Sequence, residues 1–169
     1  MDLDVRRADD GLTYLHVGAL EMRCAVGRGG ISCAKQEGDG ATPVGTFPLR
    51  RVFYRADRLP RPETRLSTCA LEPDDGWCEV PGDPNYNRLV KMPYAGRPET
   101  MWRQDHLYDA VIEIGYNDDP VIDAKGSAIF LHLARGEYQP SSGCITVKLE
   151  DMRALLALCG PGSRITIEG

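Results

Sequence analysis

Residues 126–147 read GSAIFLHLARGEYQPSSGCITV, and the prediction of the fold starts from this stretch. Its two apolar runs, residues 128–133 and 145–147, predict two strands joined by a hairpin-like loop. His132 lies where the loop begins and Cys144 where it ends. Facing strands would bring the imidazole beside the thiol, and a cysteine acyl-transfer enzyme uses such a pair as base and nucleophile.

Cys144 differs from the other cysteines in its setting. The Ser-Ser-Gly-Cys turn of residues 141–144 precedes an apolar strand, so the amides of Gly143 and Cys144 are candidates for an oxyanion hole. Cys159 falls on the apolar face of a predicted helix, where a buried structural thiol is expected. Among the three histidines, His132 is the candidate base because it pairs with this turn. No carboxylate obviously completes a triad, so a backbone carbonyl is a candidate to orient the ring.

The composition, with 12 prolines and 18 glycines in 169 residues, favours many turns and short strands, and therefore a mainly β fold. Further strands are predicted at residues 12–17, 21–26, 46–54, 108–116 and 163–168. The clearest helix covers residues 149–159, where four apolar side chains share one face. A second short helix is predicted at residues 99–108. The length and the lack of a linker predict a single domain over residues 1–169.

Residues 55–95 are rich in proline, aspartate and arginine and show little periodicity. A loop of this length in a compact domain is usually functional, so we expect it to frame a cleft. Trp77 and Tyr86 are candidates to bind substrate in that cleft. The alternative is that both side chains pin the loop to the body of the protein.

The net charge of −5 offers no basic field for nucleic acid. No apolar run is long enough to span a bilayer, and the first residues lack the apolar stretch of a signal peptide, so we expect a cytoplasmic protein, or a periplasmic one if a leader has been removed. The six cysteines show no zinc spacing, so no metal site is expected. Free thiols are favoured, with a Cys69–Cys78 disulfide as the alternative.

Two separated motifs resemble the L,D-transpeptidase catalytic domain family of the YkuD type. One is His132 followed by a loop and by Ser-Ser-Gly-Cys-Ile at residues 141–145. The other is EGDGATPVGTF at residues 37–47, which is similar to that family's Thr-Pro-x-Gly-x-Phe segment. The resemblance spans nearly the whole chain, from Gly27 to the C-terminus.

The resemblance implies a β-sandwich that carries an active-site loop, with one or two short helices. It implies that Cys144 attacks an amide of a peptidoglycan stem peptide or muropeptide, with His132 as base and Ser142 and Gly143 in the catalytic turn. The thioester would then pass to an amine, which makes a cross-link. The alternative acceptor is water, as in an L,D-carboxypeptidase. Neither route requires a metal or a cofactor, and a carbapenem is expected to acylate Cys144.

The sequence departs from the more familiar family pattern in three ways. The loop between His132 and Cys144 is shorter, Leu133 replaces the small residue that often follows the histidine, and two residues of the motif around Cys144 differ. Ser142 stands where that motif has histidine, and Thr146 stands where it has an arginine. The missing arginine removes an expected partner for a substrate carboxylate, and Arg135 and Lys148 are candidates to replace it. Ser141 and Tyr86 are further candidates for substrate contact. A catalytically silent module that binds glycan or peptide is the remaining alternative.

Overall fold

The computed structural model describes residues 1–96 and 98–169. These residues form a mainly β structure, as the composition predicts. The strands are β1 (Leu3–Arg7), β2 (Thr13–Val17), β3 (Leu20–Cys24), β4 (Ile31–Ser32), β5 (Thr42–Pro43), β6 (Gly45–Tyr54), β7 (Ser67–Ala70), β8 (Asp75–Trp77), β9 (Leu89–Lys91), β10 (Glu99–Thr100), β11 (Ala110–Ile114), β12 (Phe130–Leu133), β13 (Ile145–Val147) and β14 (Arg164–Ile167), and the helix α1 covers Leu149–Leu158. The described residues include no helix long and apolar enough to cross a membrane.

Nine strands form the main sheet, in the order β13-β12-β11-β6-β14-β1-β2-β3, with β7 paired to β6. The two ends of this sheet meet just beyond β3. The Ala25 amide donates to the Thr146 carbonyl at 3.0 Å, and the Thr146 amide donates to the Ala25 carbonyl at 2.9 Å. The sheet is therefore barrel-like, and its closing bridge lies on β13. The strands β8, β9 and β10 form a separate small sheet.

Apolar side chains fill both faces of the main sheet. Leu131 and Ile112 belong to the larger core, together with the buried face of α1. Phe130 and Val111, one residue away on the same strands, point to the opposite face and pack in a second core that includes Trp77. Because side chains alternate along a strand, β11 and β12 are covered on both sides. This double coverage explains their continuous apolar sequences.

The strands predicted at residues 12–17, 21–26, 46–54, 108–116 and 163–168 are present to within about two residues at each end. The helix prediction for residues 149–159 is confirmed, with Cys159 as the C-cap. The second helix, predicted at residues 99–108, was wrong. Its first residues form β10, because Glu99 and Thr100 pair with Trp77 and Gly76 of β8.

The hairpin predicted around His132 and Cys144 was also wrong. Strands β12 and β13 are parallel, with His132 opposite Thr146, so the chain must return to the beginning of β12 before β13 starts. Main-chain bonds to the segment after β3 direct this return. The Ser141 amide donates to the Val26 carbonyl at 3.0 Å, and the Arg28 amide donates to the Ser141 carbonyl at 2.8 Å.

The long loop of residues 55–95 contains β7, β8 and β9. The Trp77 indole donates to Asn87 Oδ1 at 3.0 Å, and the same oxygen accepts the Ala128 amide at 3.0 Å. Both side chains are buried. The loop was expected either to bind substrate through Trp77 or to be attached by it to the body of the protein. The structure favours attachment, because Trp77 connects the loop to the chain segment just before β12.

Candidate active site

Cys144 and His132 face the same side of the main sheet. Leu131 pairs with Ile145, and both side chains belong to the larger core. His132 pairs with Thr146, and Cys144 comes two residues before Thr146. Because strand side chains alternate, the thiol, the imidazole and the threonine hydroxyl share the face opposite the larger core.

A cavity of about 290 Å³ opens on this face. The thiol and the imidazole line it together with the turn that precedes β13, three arginines and several further side chains. The lining residues are Cys144, His132, Thr146, Pro140, Ser141, Ser142, Gln139, Leu107, Tyr108, Glu99, Arg28, Arg103 and Arg135. Four larger cavities among the described residues each lack a cysteine together with a histidine. The predicted pair therefore shares one cavity.

The Cys144 thiol is held by main-chain groups. It donates to the Ala128 carbonyl at 3.2 Å, and the Phe130 amide donates to Sγ at 3.4 Å. Burial raises the pKa of the Cys144 thiol far above its usual range, and the nearby Glu99 carboxylate raises it further. The free protein therefore holds a neutral thiol at neutral pH.

The His132 ring is buried and is oriented by a backbone carbonyl. Its Nδ1 lies 3.0 Å from the Leu133 oxygen. Because a carbonyl can only accept, Nδ1 carries the proton of the neutral ring and Nε2 keeps its lone pair. Burial lowers the pKa of His132 to about 4, although its hydrogen bond to Leu133 favours the charged form. Tyr108 packs edge-on against the ring, with 5.0 Å between the ring centroids.

The turn before Cys144 is closed by Ser141. Its hydroxyl donates to the Cys144 carbonyl at 2.6 Å and accepts the Gly143 amide at 3.1 Å. One of the two amides predicted for an oxyanion hole is therefore engaged in this structure. Gly143 has a φ of 140°, and a Cβ there would lie 3.0 Å from the Ala41 oxygen, so the position requires glycine.

Thr42, from the upstream motif, stabilises the turn before Cys144 through hydrogen bonds. Its buried hydroxyl donates to the Gly143 carbonyl at 2.8 Å and accepts the Gly27 amide at 2.8 Å. At Gly27 a Cβ would lie only 2.1 Å from the Gly40 oxygen. The glycine-rich turn that begins at residue 27 is therefore packed tightly between the two motifs.

Of the two predicted carboxylate-binding residues, Arg135 lines the cavity and Lys148 does not. Arg135 is 58% exposed and lies 3.7 Å from Asp105. Lys148 lies 3.8 Å from Glu137 and above the Tyr138 ring, away from the cavity-lining residues. Its expected substrate contact is not supported by this position.

Tyr86 is likewise not among the cavity-lining residues. It is buried, and its hydroxyl donates to Glu37 and accepts the Gly126 amide. Both of these bonds hold the loop against the main body. The structure therefore places Tyr86 as a supporting side chain rather than as a substrate contact.

The cavity residues that the sequence analysis missed include four with charged or phenolic side chains: Arg28, Glu99, Arg103 and Tyr108. Arg28 lies in the glycine-rich turn, and its Nη1 donates to Ser142 Oγ at 2.9 Å. The density of glycines around it was the available signal, since glycine permits close backbone approach. The other three are far from both motifs in the sequence, and their spacing carries no signal.

One group of carboxylates in the described residues has the spacing of a cation site: Glu72, Asp74 and Asp75. The Lys91 ammonium lies 2.5 Å from Glu72 and 2.8 Å from each of the two aspartates. These carboxylates therefore already have a cation from the chain itself, and the group lies outside the cavity of Cys144.

The model of the L,D-transpeptidase catalytic domain family (YkuD) matches residues 3–167. The chain therefore belongs to this family, whose members act on peptidoglycan peptides. No curated protein and no solved structure matches the chain.

Proposed function

We propose that the protein is a cysteine L,D-transpeptidase in which Cys144 takes up the acyl group of a peptidoglycan stem peptide and passes it to an amine. One observation carries the proposal: Cys144 and His132 open onto one cavity from the same face of two adjacent strands. Membership of the family supports the substrate class.

The neutral states of the two side chains favour general-base attack over a preformed ion pair. The thiol turns from the Ala128 carbonyl toward His132, and Nε2 takes its proton as sulfur attacks the amide carbon. The proton then passes to the departing amine, the C–N bond breaks, and a thioester remains on Cys144. An incoming amine reverses these steps, and His132 returns a proton to the sulfur.

Arg28 is the guanidinium best placed to bind a carboxylate of the stem peptide. It is exposed at the cavity, and its Nη1 donates to Ser142 Oγ. Arg103, by contrast, is engaged with Asp105 at 2.8 and 2.7 Å. Because guanidinium groups match carboxylates in shape and charge, Arg28 can take the place of the arginine that Thr146 replaces.

The proposal is tested with a disaccharide tetrapeptide, by mass spectrometry of the products. Cross-linked dimers show an amine acceptor, whereas release of the terminal D-Ala without dimers shows water as acceptor and an L,D-carboxypeptidase. The variant Cys144→Ala should form neither product. Full activity in that variant would contradict both enzyme functions.

Cys69→Ala is the matched control, because Cys69 is an exposed thiol on β7, outside the cavity. A carbapenem should add its mass once to the wild type and to Cys69→Ala, and not to Cys144→Ala. An adduct that survives in Cys144→Ala, or that disappears in Cys69→Ala, would place the reactive thiol elsewhere.

A further inference from the structure

Thr146 carries a buried hydroxyl group at the wall of the Cys144 cavity. The residue is 1% exposed and lines the cavity. Its hydroxyl oxygen has no hydrogen-bond partner among the residues that the structure describes. Buried hydroxyls in folded proteins nearly always have a partner, because removing one from water without a new hydrogen bond is costly. The free protein therefore leaves one hydrogen bond unmade at this wall.

The chain around Thr146 has little freedom to supply a partner. The strand β13 is fixed on both sides at this residue, by pairing with His132 of β12 and by main-chain bonds with Ala25. The other hydroxyls that line the cavity already have partners within the chain: Ser141, Ser142 and Tyr108. A partner for the Thr146 hydroxyl is therefore expected to arrive with a ligand.

Thr146 lies beside both of the proposed reacting side chains. It follows Cys144 by two residues and is opposite His132. Side chains two residues apart on a strand point to the same face, and their Cα atoms are roughly 7 Å apart. An acyl group bonded to the Cys144 sulfur can therefore reach the Thr146 hydroxyl with an atom that is a few bonds from its reacting carbon.

The charges around the cavity indicate which kind of atom this is. Three guanidinium groups and one carboxylate line the cavity: Arg28, Arg103, Arg135 and Glu99. Asp105 lies within 4 Å of two of these arginines, at 2.7 Å from Arg103 and 3.7 Å from Arg135, and the sum of the charges stays positive. Such a site favours the oxygen atoms of a ligand, and the Thr146 hydroxyl can donate to an oxygen.

We propose that Thr146 is a substrate-binding residue, whose hydroxyl donates a hydrogen bond to an oxygen of the acyl group that Cys144 takes from the stem peptide. The inference rests on the proposed function, and it adds a contact on β13 to the contact that Arg28 makes with a substrate carboxylate. In the free protein the hydroxyl has no other role, so its removal should weaken substrate binding without weakening the fold.

Two substitutions of Thr146 separate binding from folding. Thr146→Val keeps the shape and removes the hydroxyl, whereas Thr146→Ser keeps the hydroxyl and removes a methyl group. Acylation is measured as release of the terminal D-Ala from a disaccharide tetrapeptide. The protein is in excess over the tetrapeptide, so that each D-Ala reports one acylation. Folding is measured as the urea midpoint of unfolding.

The two variants should change in opposite ways. We expect Thr146→Val to release D-Ala roughly tenfold more slowly, because a hydrogen bond to the substrate is lost. Its urea midpoint should be equal to or higher than that of the wild type, because no bond within the chain is lost. Thr146→Ser should release D-Ala at nearly the wild-type rate and have a lower midpoint, because it leaves a cavity. The control Thr46→Val, at an exposed position on β6, should change neither quantity.

The inference is overturned if Thr146→Val releases D-Ala at the wild-type rate, or if Thr146→Ser is as slow as Thr146→Val. A Thr146→Val variant that does not fold, or that has a lower urea midpoint, also overturns it, because the hydroxyl then has a partner in the chain. A shift in the acid limb of acylation in Thr146→Val would place the hydroxyl on the His132 ring instead of the substrate. A wild type that releases no D-Ala and forms no acyl-enzyme on Cys144 is a different result, because it contradicts the proposed function itself.

Discussion

The side chains of Cys144 and His132 form hydrogen bonds with the main chain. The Cys144 thiol donates to the Ala128 carbonyl, and His132 Nδ1 donates to the Leu133 carbonyl. This arrangement fixes the tautomer of the ring without a carboxylate, because the group that orients the ring is a main-chain carbonyl of β12 itself. The pair therefore starts from its uncharged form.

The pH dependence of acylation reports this state. The proposed mechanism uses neutral His132 as base, and the pKa of about 4 means that the ring stays neutral well below neutral pH. We expect the rate of Cys144 acylation, followed by intact mass, to stay nearly constant from neutral pH down to about 5 and to halve near the pKa of the ring. An acid limb at the ordinary histidine value of 6.5 would show that the ring is hydrated in the free protein.

Arg28 can be tested through the Michaelis constant of the donor. Removal of a guanidinium that binds the substrate carboxylate in both ground and transition states should raise KM by roughly tenfold and leave kcat little changed. The variant is Arg28→Ala, and Arg6→Ala is the control, because Arg6 is exposed on β1. Equal values of KM in the two variants would assign carboxylate binding to another group.

At the level of the elements, the two sequence motifs form one unit. Thr42 lies in β5 and bonds the Gly143 carbonyl, so the upstream motif supports the turn that presents Cys144. Thr42→Val keeps the shape but leaves the Gly27 amide and the Gly143 carbonyl unpaired. We expect a loss of about 2–4 kcal/mol in the free energy of unfolding, because each buried polar group left without a partner is costly.

Urea unfolding measures this loss, and Thr46→Val is the matched control. The Thr46 hydroxyl contacts only the Thr166 hydroxyl, at 3.0 Å on an exposed part of β6. Its removal should change the free energy of unfolding by less than about 0.5 kcal/mol. A Thr42→Val variant as stable as this control would mean that the motif does not support the turn.

The sequence analysis correctly predicted those elements that a local pattern of apolar residues indicates. The helix α1 follows from its apolar spacing, and β11 follows from its apolar run between turns. The strand β1 was missed, because only Leu3 and Val5 alternate with charged neighbours, and two apolar residues are too few for a pattern. It nevertheless lies in the middle of the sheet, between β14 and β2. Its position depends on partners that are far away in the sequence.

In the candidate site, too, the residues with a local sequence signal were predicted, and the contacts between distant parts of the chain were missed. Cys144 and His132 were found because each lies beside a recognisable turn or apolar run. The parallel pairing of β12 and β13 was missed, because a short connection suggests a hairpin unless the bonds from Ser141 to Val26 and Arg28 are known. Glu99 lines the cavity and lies in β10, which pairs with β8 of the small sheet, and no local pattern in the sequence indicates this pairing.

For the molecule as a whole, the residue that closes the sheet also lines the cavity. Thr146 forms the closing bridge with Ala25 through its main chain, and it lines the cavity with its side chain. His132 pairs with Thr146 and is therefore buried beside the point where the ends of the sheet join. The stability of the entire fold should consequently depend on the ionisation of this one ring.

The sign of that dependence follows from the lowered pKa. Between its ordinary value of 6.5 and about 4, His132 binds a proton in the unfolded chain but not in the folded one. Stability is therefore fully present above 6.5 and is lost as the pH falls toward 4. From pH 7 to pH 4, the wild type should lose about 3 kcal/mol more in the free energy of unfolding than His132→Gln, which has no titrating ring at this position.

Urea unfolding of both proteins across this pH range measures the difference. His16 and His106 are present in both proteins, so their ionisation does not contribute to it. The comparison uses slopes and not absolute stabilities, so a general destabilisation by the glutamine leaves it intact. Equal slopes in the two proteins would show that His132 titrates in the folded state as it does in the unfolded chain, which would contradict its lowered pKa.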